Sequence, residues 1–137
     1  MKPLMVACPG WSGTVNGADG ARVEISACPD PNRPPLDIGP ERTLFFRVRM
    51  ENIGAIRTPA GFASGTGLLD SLGQVYLADL SRSLPIDPAI AGDPQLDPGE
   101  QADLALVVPI RRETVPLQLS VVHPTSRLSI VDWTFSP

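Results

Sequence analysis

The chain has 137 residues, a formal net charge of -4 and an isoelectric point near 4.8. That length suits one domain with its own core, here 1–137, and leaves no room for a second. The acidic balance excludes a protein built to neutralise phosphates: Lys2 and the scattered arginines form no cluster beyond the adjacent Arg111 and Arg112, so neither nucleic acid nor an anionic lipid surface is an expected partner.

Sixteen prolines and twelve glycines punctuate the chain so often that a helix of more than two turns has no place to form. An all-β domain follows. No apolar run approaches the roughly 18 to 20 residues of a membrane span. Residues 1–7 carry Lys2 and a short apolar patch before Cys8, but Pro3 interrupts it and it falls short of the roughly 7 to 15 apolar residues of a signal peptide. It reads as an ordinary arm, so any membrane association is expected only through a signal or lipid anchor upstream of Met1.

Cys8 and Cys28 each sit in an Ala-Cys-Pro context, joined by a stretch containing Gly10, Gly13, Gly17 and Gly20. Two thiols with His123 as the one imidazole are too few ligands for a metal centre, and no cofactor is expected. Cys8 and Cys28 are either inert and unpaired or a disulfide; the disulfide is favoured. It would close a loop of about 20 residues, stabilise the fold by roughly 3 kcal/mol and tether the 1–28 arm, and it implies an oxidising compartment.

Val23, Ile25 and Ala27 alternate with Arg22, Glu24 and Ser26, which predicts a half-buried strand. The proline-rich stretch 29–40 is expected to cross the surface in extended polyproline form between two sheets. The clearest strand in the chain is 42–51, where Leu44, Phe46, Val48 and Met50 alternate with Phe45, Arg47, Arg49 and Glu51. Asn52-Ile53-Gly54-Ala55 then signals a turn. The glycine-rich run 61–67 lacks the Gly-Lys-Ser/Thr ending of a phosphate loop and the Gly-x-Ser-x-Gly elbow of hydrolases, so it is expected to be a flexible loop with Ser64 not a nucleophile.

Residues 68–77 read as a hairpin around Asp70-Ser71-Leu72-Gly73. The long connection 81–98 carries Asp87, Asp93 and Asp97, which match no calcium-loop spacing and are expected to be solvated. Leu96-Asp97-Pro98-Gly99-Glu100 is a tight turn into a strand lined by Ala102, Leu104, Leu106 and Val108, with Ala105 and Val107 marking an end covered on both faces. A turn is expected over 109–116, with Arg111 and Arg112 a solvated pair at its tip. The strand through Leu117, Leu119 and Val121 follows. His123 precedes Pro124 and is expected as a surface residue or a hydrogen-bonded cap. The last strand, 128–135, changes parity near Ile130 and Val131, which predicts a β-bulge there, with Trp133 in the core.

Strands of this number and spacing predict a two-sheet antiparallel sandwich. The run Phe46-Arg47-Val48-Arg49-Met50-Glu51-Asn52-Ile53-Gly54, the hairpin 69–76, the turn 96–100 and Val107-Val108-Pro109 with Leu117 resemble an uncharacterised bacterial family of secreted and lipoprotein-borne immunoglobulin-like domains. Their fold is similar to that of the mycobacterial secreted immunoprotective extracellular protein. The resemblance covers about 43–121; the 81–95 insertion and the Cys8 to Cys28 arm depart from it. It implies an extracytoplasmic location and an immunoglobulin-like sandwich, with the ligand unassigned. The expected function is a non-catalytic binding or protein-interaction module for a protein or cell-surface ligand. An accessory domain of a larger cell-envelope protein is the alternative, and a serine hydrolase using Ser64 and His123 the remote one.

Overall fold

The computed structural model describes residues 12–17, 20–80, 83, 95–124 and 130–134. They form eleven antiparallel strands: β1 (Ser12–Asn16), β2 (Arg22–Pro29), β3 (Leu36–Ile38), β4 (Glu41–Asn52), β5 (Thr58–Pro59), β6 (Gly67–Asp70), β7 (Val75–Leu77), β8 (Gln95–Leu96), β9 (Gln101–Arg111), β10 (Pro116–Val122) and β11 (Ile130–Thr134). No helix occurs among the described residues. The architecture is the two-sheet antiparallel, immunoglobulin-like β-sandwich.

In the first sheet β9 pairs with β4 from Glu41 to Glu51 along one edge, while β2 and then β3 share the other edge, and β1 lies outside β2. The second sheet runs β11-β10-β6-β7, and β5 and β8 form a two-stranded ribbon. Because β4 is laddered on both sides, its two-residue period is imposed on its neighbours. Leu44, Phe46, Val48 and Met50 are buried in line with Leu104, Leu106, Val108 and Ile110 of β9 and with Val23, Ile25 and Ala27 of β2. Leu68, Leu119 and Val121 of the second sheet complete this core.

The sheets also meet at their margins. A Cβ on Gly13 of β1 would come within 2.7 Å of Val131 in β11, so only glycine lets the two strands approach that closely. At the opposite margin the chain leaves β7, and the Asp79 N–H donates to the Val107 carbonyl (2.8 Å) while the Val107 N–H donates to the Ser83 hydroxyl (3.1 Å). The outer edge of β9 is thereby capped at its middle.

Three sequence expectations are corrected. The 29–40 stretch does not bridge two sheets: it links β2 to β4 within one sheet and holds β3, because Leu36-Asp37-Ile38 contains no proline and can ladder against Glu41, Arg42 and Thr43. The turn expected over 109–116 is shorter, since β9 continues to Arg111. Val107 points both its backbone groups away from β4, and by the same alternation the nitrogen of Pro109 does too, so the missing N–H costs the β4 ladder nothing. The register of β10 with β11 is unbroken through Ile130 and Val131; the irregularity lies in β10 instead, between Pro116 and Gln118 opposite β6. Trp133 sits in register with Leu119, but its side chain lies outside the described residues, as does most of the 81–94 connection.

The far end of β4 is tied down by Asn52, which is fully buried. Its amide donates to the carbonyls of Ile56 (2.8 Å) and Leu96 (2.9 Å), its Oδ1 accepts from the Gly54 N–H (3.0 Å), and its backbone exchanges bonds with Glu100 and Gly99. Gly99, at φ +87°, occupies the left-handed corner of the Asp97-Pro98-Gly99-Glu100 turn, where proline sets the preceding position. One side chain thus joins three chain segments. The neighbouring Thr58 is the opposite case: its buried hydroxyl has no hydrogen-bond partner among the described residues. Asn52→Ala is expected to lower the unfolding free energy in urea by about 3 kcal/mol by removing the partner of the buried Leu96 carbonyl and of the part-buried Ile56 carbonyl and Gly54 N–H. Thr58→Val should raise it by about 1 kcal/mol by removing an unsatisfied hydroxyl; equal effects of the two substitutions would contradict this account.

Candidate functional site

The two hairpins at one end of the sandwich are shaped by local polar chemistry. In the β6–β7 turn the buried Asp70 carboxylate accepts from the Leu72 N–H (2.9 Å) and the Gln74 N–H (2.7 Å), with Gly73 at φ +84°. This turn is the hairpin expected from the sequence. It directs Tyr76 of β7 inward, where the ring packs against the core and the hydroxyl is held at the surface. Tyr76 donates to Gln74 Oε1 (3.2 Å) and accepts from the Thr114 hydroxyl of the β9–β10 turn (3.1 Å).

Around Tyr76 the turns enclose a cleft of about 460 Å³ walled by Pro40, Glu41, Pro109, Ile110, Arg111 and Glu113. A hollow of about 260 Å³ adjoins it on the β6–β7 side, sharing Tyr76, Arg111 and Glu113. The walls combine proline and aromatic faces with a few charged groups, the mixture typical of small binding sites.

The two adjacent arginines are separated by their partners. Asp37 of β3 receives Arg42 in a bidentate grip (2.7 and 3.1 Å) and lies 3.7 Å from Arg112, whose guanidinium also donates to the Gly39 carbonyl (3.3 Å). The Arg42 hydrogen bond holds the Asp37 carboxyl below the usual carboxylate range, aided by the nearby charges of Arg42 and Arg112. Arg111, by contrast, makes no ion pair among the described residues and faces the cleft. The sequence reading of a solvated pair therefore applies to Arg111 alone.

A second polar cluster decorates the outer face of β4 and β9. Arg49 and Asp103 are register partners and pair through two bonds (2.8 and 3.3 Å), with Arg47 3.7 Å from the same carboxylate. Nearby, the Arg33 guanidinium stacks 4.0 Å from the centre of the Phe45 ring. Cys28, half-buried on β2, is the register partner of Arg47; Cys8 lies outside the described residues, and the expected disulfide with it.

His123 is not the surface residue the sequence suggests as one option; it is fully buried, and the hydrogen-bonded option describes it. Its Nε2 lies 2.7 Å from the Pro59 carbonyl, which can only accept, so the proton is on Nε2. The ring of His123 has no exposed surface, whereas Ser64 is exposed at the turn after Ala63. The run 61–67 is also more ordered than a free loop: the Thr66 hydroxyl donates to Ala63 O (2.9 Å) and accepts from the Val122 N–H (3.1 Å).

Sequence reasoning missed the cleft because its members are far apart in the chain and individually ordinary. The available signal was the chain's one tyrosine, beside a tight hairpin turn.

No protein-family model matches the chain, and no curated protein matches it. In structure it is similar to MPT63, a secreted protein from Mycobacterium tuberculosis: 12% of residues are identical, 97% of this chain and 98% of that chain are covered, and the TM-score is 0.59. At that identity the likeness establishes the shared fold.

The Asp103 carboxyl is lowered chiefly by its hydrogen bond from Arg49; burial opposes this, and the charges of Arg49 and then Arg47 add to the lowering. A carboxyl depressed in the folded state stabilises the fold above the unfolded value of about 4 and loses that contribution as pH falls through the folded value. Asp103→Asn is therefore expected to flatten the acid side of the stability profile below about pH 4. The change should stay under about 1 kcal/mol, because both partners are a third or more exposed and screened. Urea titrations of both proteins from neutral to acid pH check this; parallel profiles would refute it.

Proposed function

We propose that the chain is a non-catalytic, extracytoplasmic binding or protein-interaction module that grips its ligand at the Tyr76 cleft. The observation that carries this reading is the cleft itself. It is assembled from turns at one end of a rigid sandwich, its aromatic floor is fixed by two side-chain hydrogen bonds, and its cation, Arg111, has no ion pair among the described residues. Turns held on a rigid scaffold are where binding residues concentrate. The ligand class this chemistry favours is a protein segment or cell-surface group offering an apolar face to Tyr76, Pro40 and Pro109 and an acceptor to Arg111.

The extracytoplasmic part is supported by the fold shared with a secreted protein and by the pairing proposed for Cys8 and Cys28. Cys28 lies half-buried on β2, where a bond to Cys8 would anchor the arm to the first sheet.

Two measurements test the two halves separately. Protein recovered from native cells should be found in the envelope or medium with no titratable thiol until it is reduced; a cytosolic pool with both thiols free would remove the location. In a titration of labelled protein with envelope-derived peptides and glycans, amide shifts should centre on Tyr76, Arg111 and Glu113. Arg111→Glu should weaken binding about tenfold or more. Shifts confined to the outer face of β2, β4 and β9 would move the site elsewhere.

A further inference from the structure

Glu41 and Arg111 are register partners at one end of the β4–β9 ladder, and both line the Tyr76 cleft. Elsewhere in this sheet, register partners of opposite charge close onto each other: Arg42 onto Asp37 at 2.7 Å and Arg49 onto Asp103 at 2.8 Å. Charges placed directly opposite across a sheet attract in this way. Glu41 and Arg111 do not close, and neither makes an ion pair among the described residues. The same holds for Glu113, which stands with Arg111 and Tyr76 where the cleft meets the adjoining hollow. The cleft therefore presents the carboxylates of Glu41 and Glu113 and the Arg111 guanidinium, all uncommitted, beside the apolar faces of Tyr76, Pro40 and Pro109.

Taking the cleft as the binding site, which is the reading proposed above, we infer that its occupant is an extended, proline-rich peptide carrying a basic side chain. The open charges set the requirement: acceptors for the guanidinium and a cation for the carboxylates. A polyproline II segment makes no internal hydrogen bonds, so its backbone carbonyls are free to accept from Arg111. Its pyrrolidine rings pack in grooves lined by aromatic side chains, and here the Tyr76 ring is flanked by the faces of Pro40 and Pro109. The carboxylates outnumber the cation in a chain of net charge -4, so a lysine or arginine on the peptide balances the cleft. A neutral glycan brings hydroxyls but no cation, and would leave a carboxylate desolvated without a countercharge. The shape agrees with a chain-like ligand. The cleft of about 460 Å³ and the hollow of about 260 Å³ adjoin at Tyr76, so successive turns of an extended peptide can enter one on each side of the ring.

Fluorescence anisotropy of labelled probes with the full chain tests this. The probes are a proline-rich peptide of about ten residues with a single arginine, the same peptide with glutamate in place of the arginine, and a neutral chito-oligosaccharide. The arginine peptide should bind with a dissociation constant below about 1 mM, about tenfold or more tighter than the glutamate peptide. Glu41→Gln and Glu113→Gln, both at exposed positions, should each weaken the arginine peptide about threefold and together about tenfold. Circular dichroism confirms that the variants fold. Failure of the arginine peptide to bind, whether or not the oligosaccharide does, overturns the inference. So does a glutamate peptide that binds as tightly, or an affinity that the double variant leaves unchanged. Those results would leave Tyr76 and Arg111 standing as the site for another ligand, whereas amide shifts from the arginine peptide confined to the outer face of β2, β4 and β9 would remove the site as well.

Discussion

From Phe46 to Glu51 the backbone of β4 is engaged on both edges at once, by β2 on one side and β9 on the other. A strand so held cannot slip by one residue without turning Phe46, Val48 and Met50 to water and Arg47 and Arg49 into the core. The cost of that slip fixes the register of both neighbouring strands, and through them the direction in which every side chain of the first sheet points. The second sheet has only to present Leu68, Leu119 and Val121 to the surface so created. Asn52 finishes the work by closing the end of β4 onto the 53–56 turn and β8 through its buried amide.

The same alternation explains which parts of the fold were legible in the sequence. Residues 42–51, 22–27 and 102–106 follow the two-residue period because one face of each meets the core and the other is more exposed, and the turns at 70–73 and 97–100 announce themselves through the side chains of Asp70 and Glu100, which bond nearby backbone. β3 and β8 were invisible for the opposite reason. Leu36, Asp37 and Ile38 are all exposed, so no burial pattern marks them, and β8 is two residues long. Proline at 109 looked like a strand end because its tolerance depends on which edge its nitrogen faces, a property of the neighbouring strands and not of the local sequence.

The candidate site was less legible still, since it is a product of topology. Tyr76, Arg111 and Thr114 come together only because β7 crosses toward β9 at Asp79 and the β9–β10 turn folds back over it. His123 shows the converse error. Beside a proline it looks like a surface residue, yet the chain buries it against the Pro59 carbonyl, where the imidazole replaces a backbone donor for the β5–β8 ribbon. A polar residue in an apolar neighbourhood is read correctly only when its partner is known.

How the sandwich treats its margins narrows where it can meet other molecules. Unpaired strand edges invite further pairing, yet here β1 closes against β11 and the outer edge of β9 is occupied at Val107 by Asp79 and Ser83. On β3, three residues long, Asp37 is held by arginines and offers little length for an added strand. The face of β2, β4 and β9 is covered by Arg49, Asp103 and Arg47 satisfying one another, so any ligand there would first have to separate ion pairs already made. What remains among the described residues is the turn end around Tyr76, to which the β6–β7 hairpin contributes both the ring and the turn beside it. Residue choice in that hairpin therefore bears directly on the site: Asp70 and Gly73 set its shape, Tyr76 lines the cleft, and Leu72 lines the adjoining hollow with it.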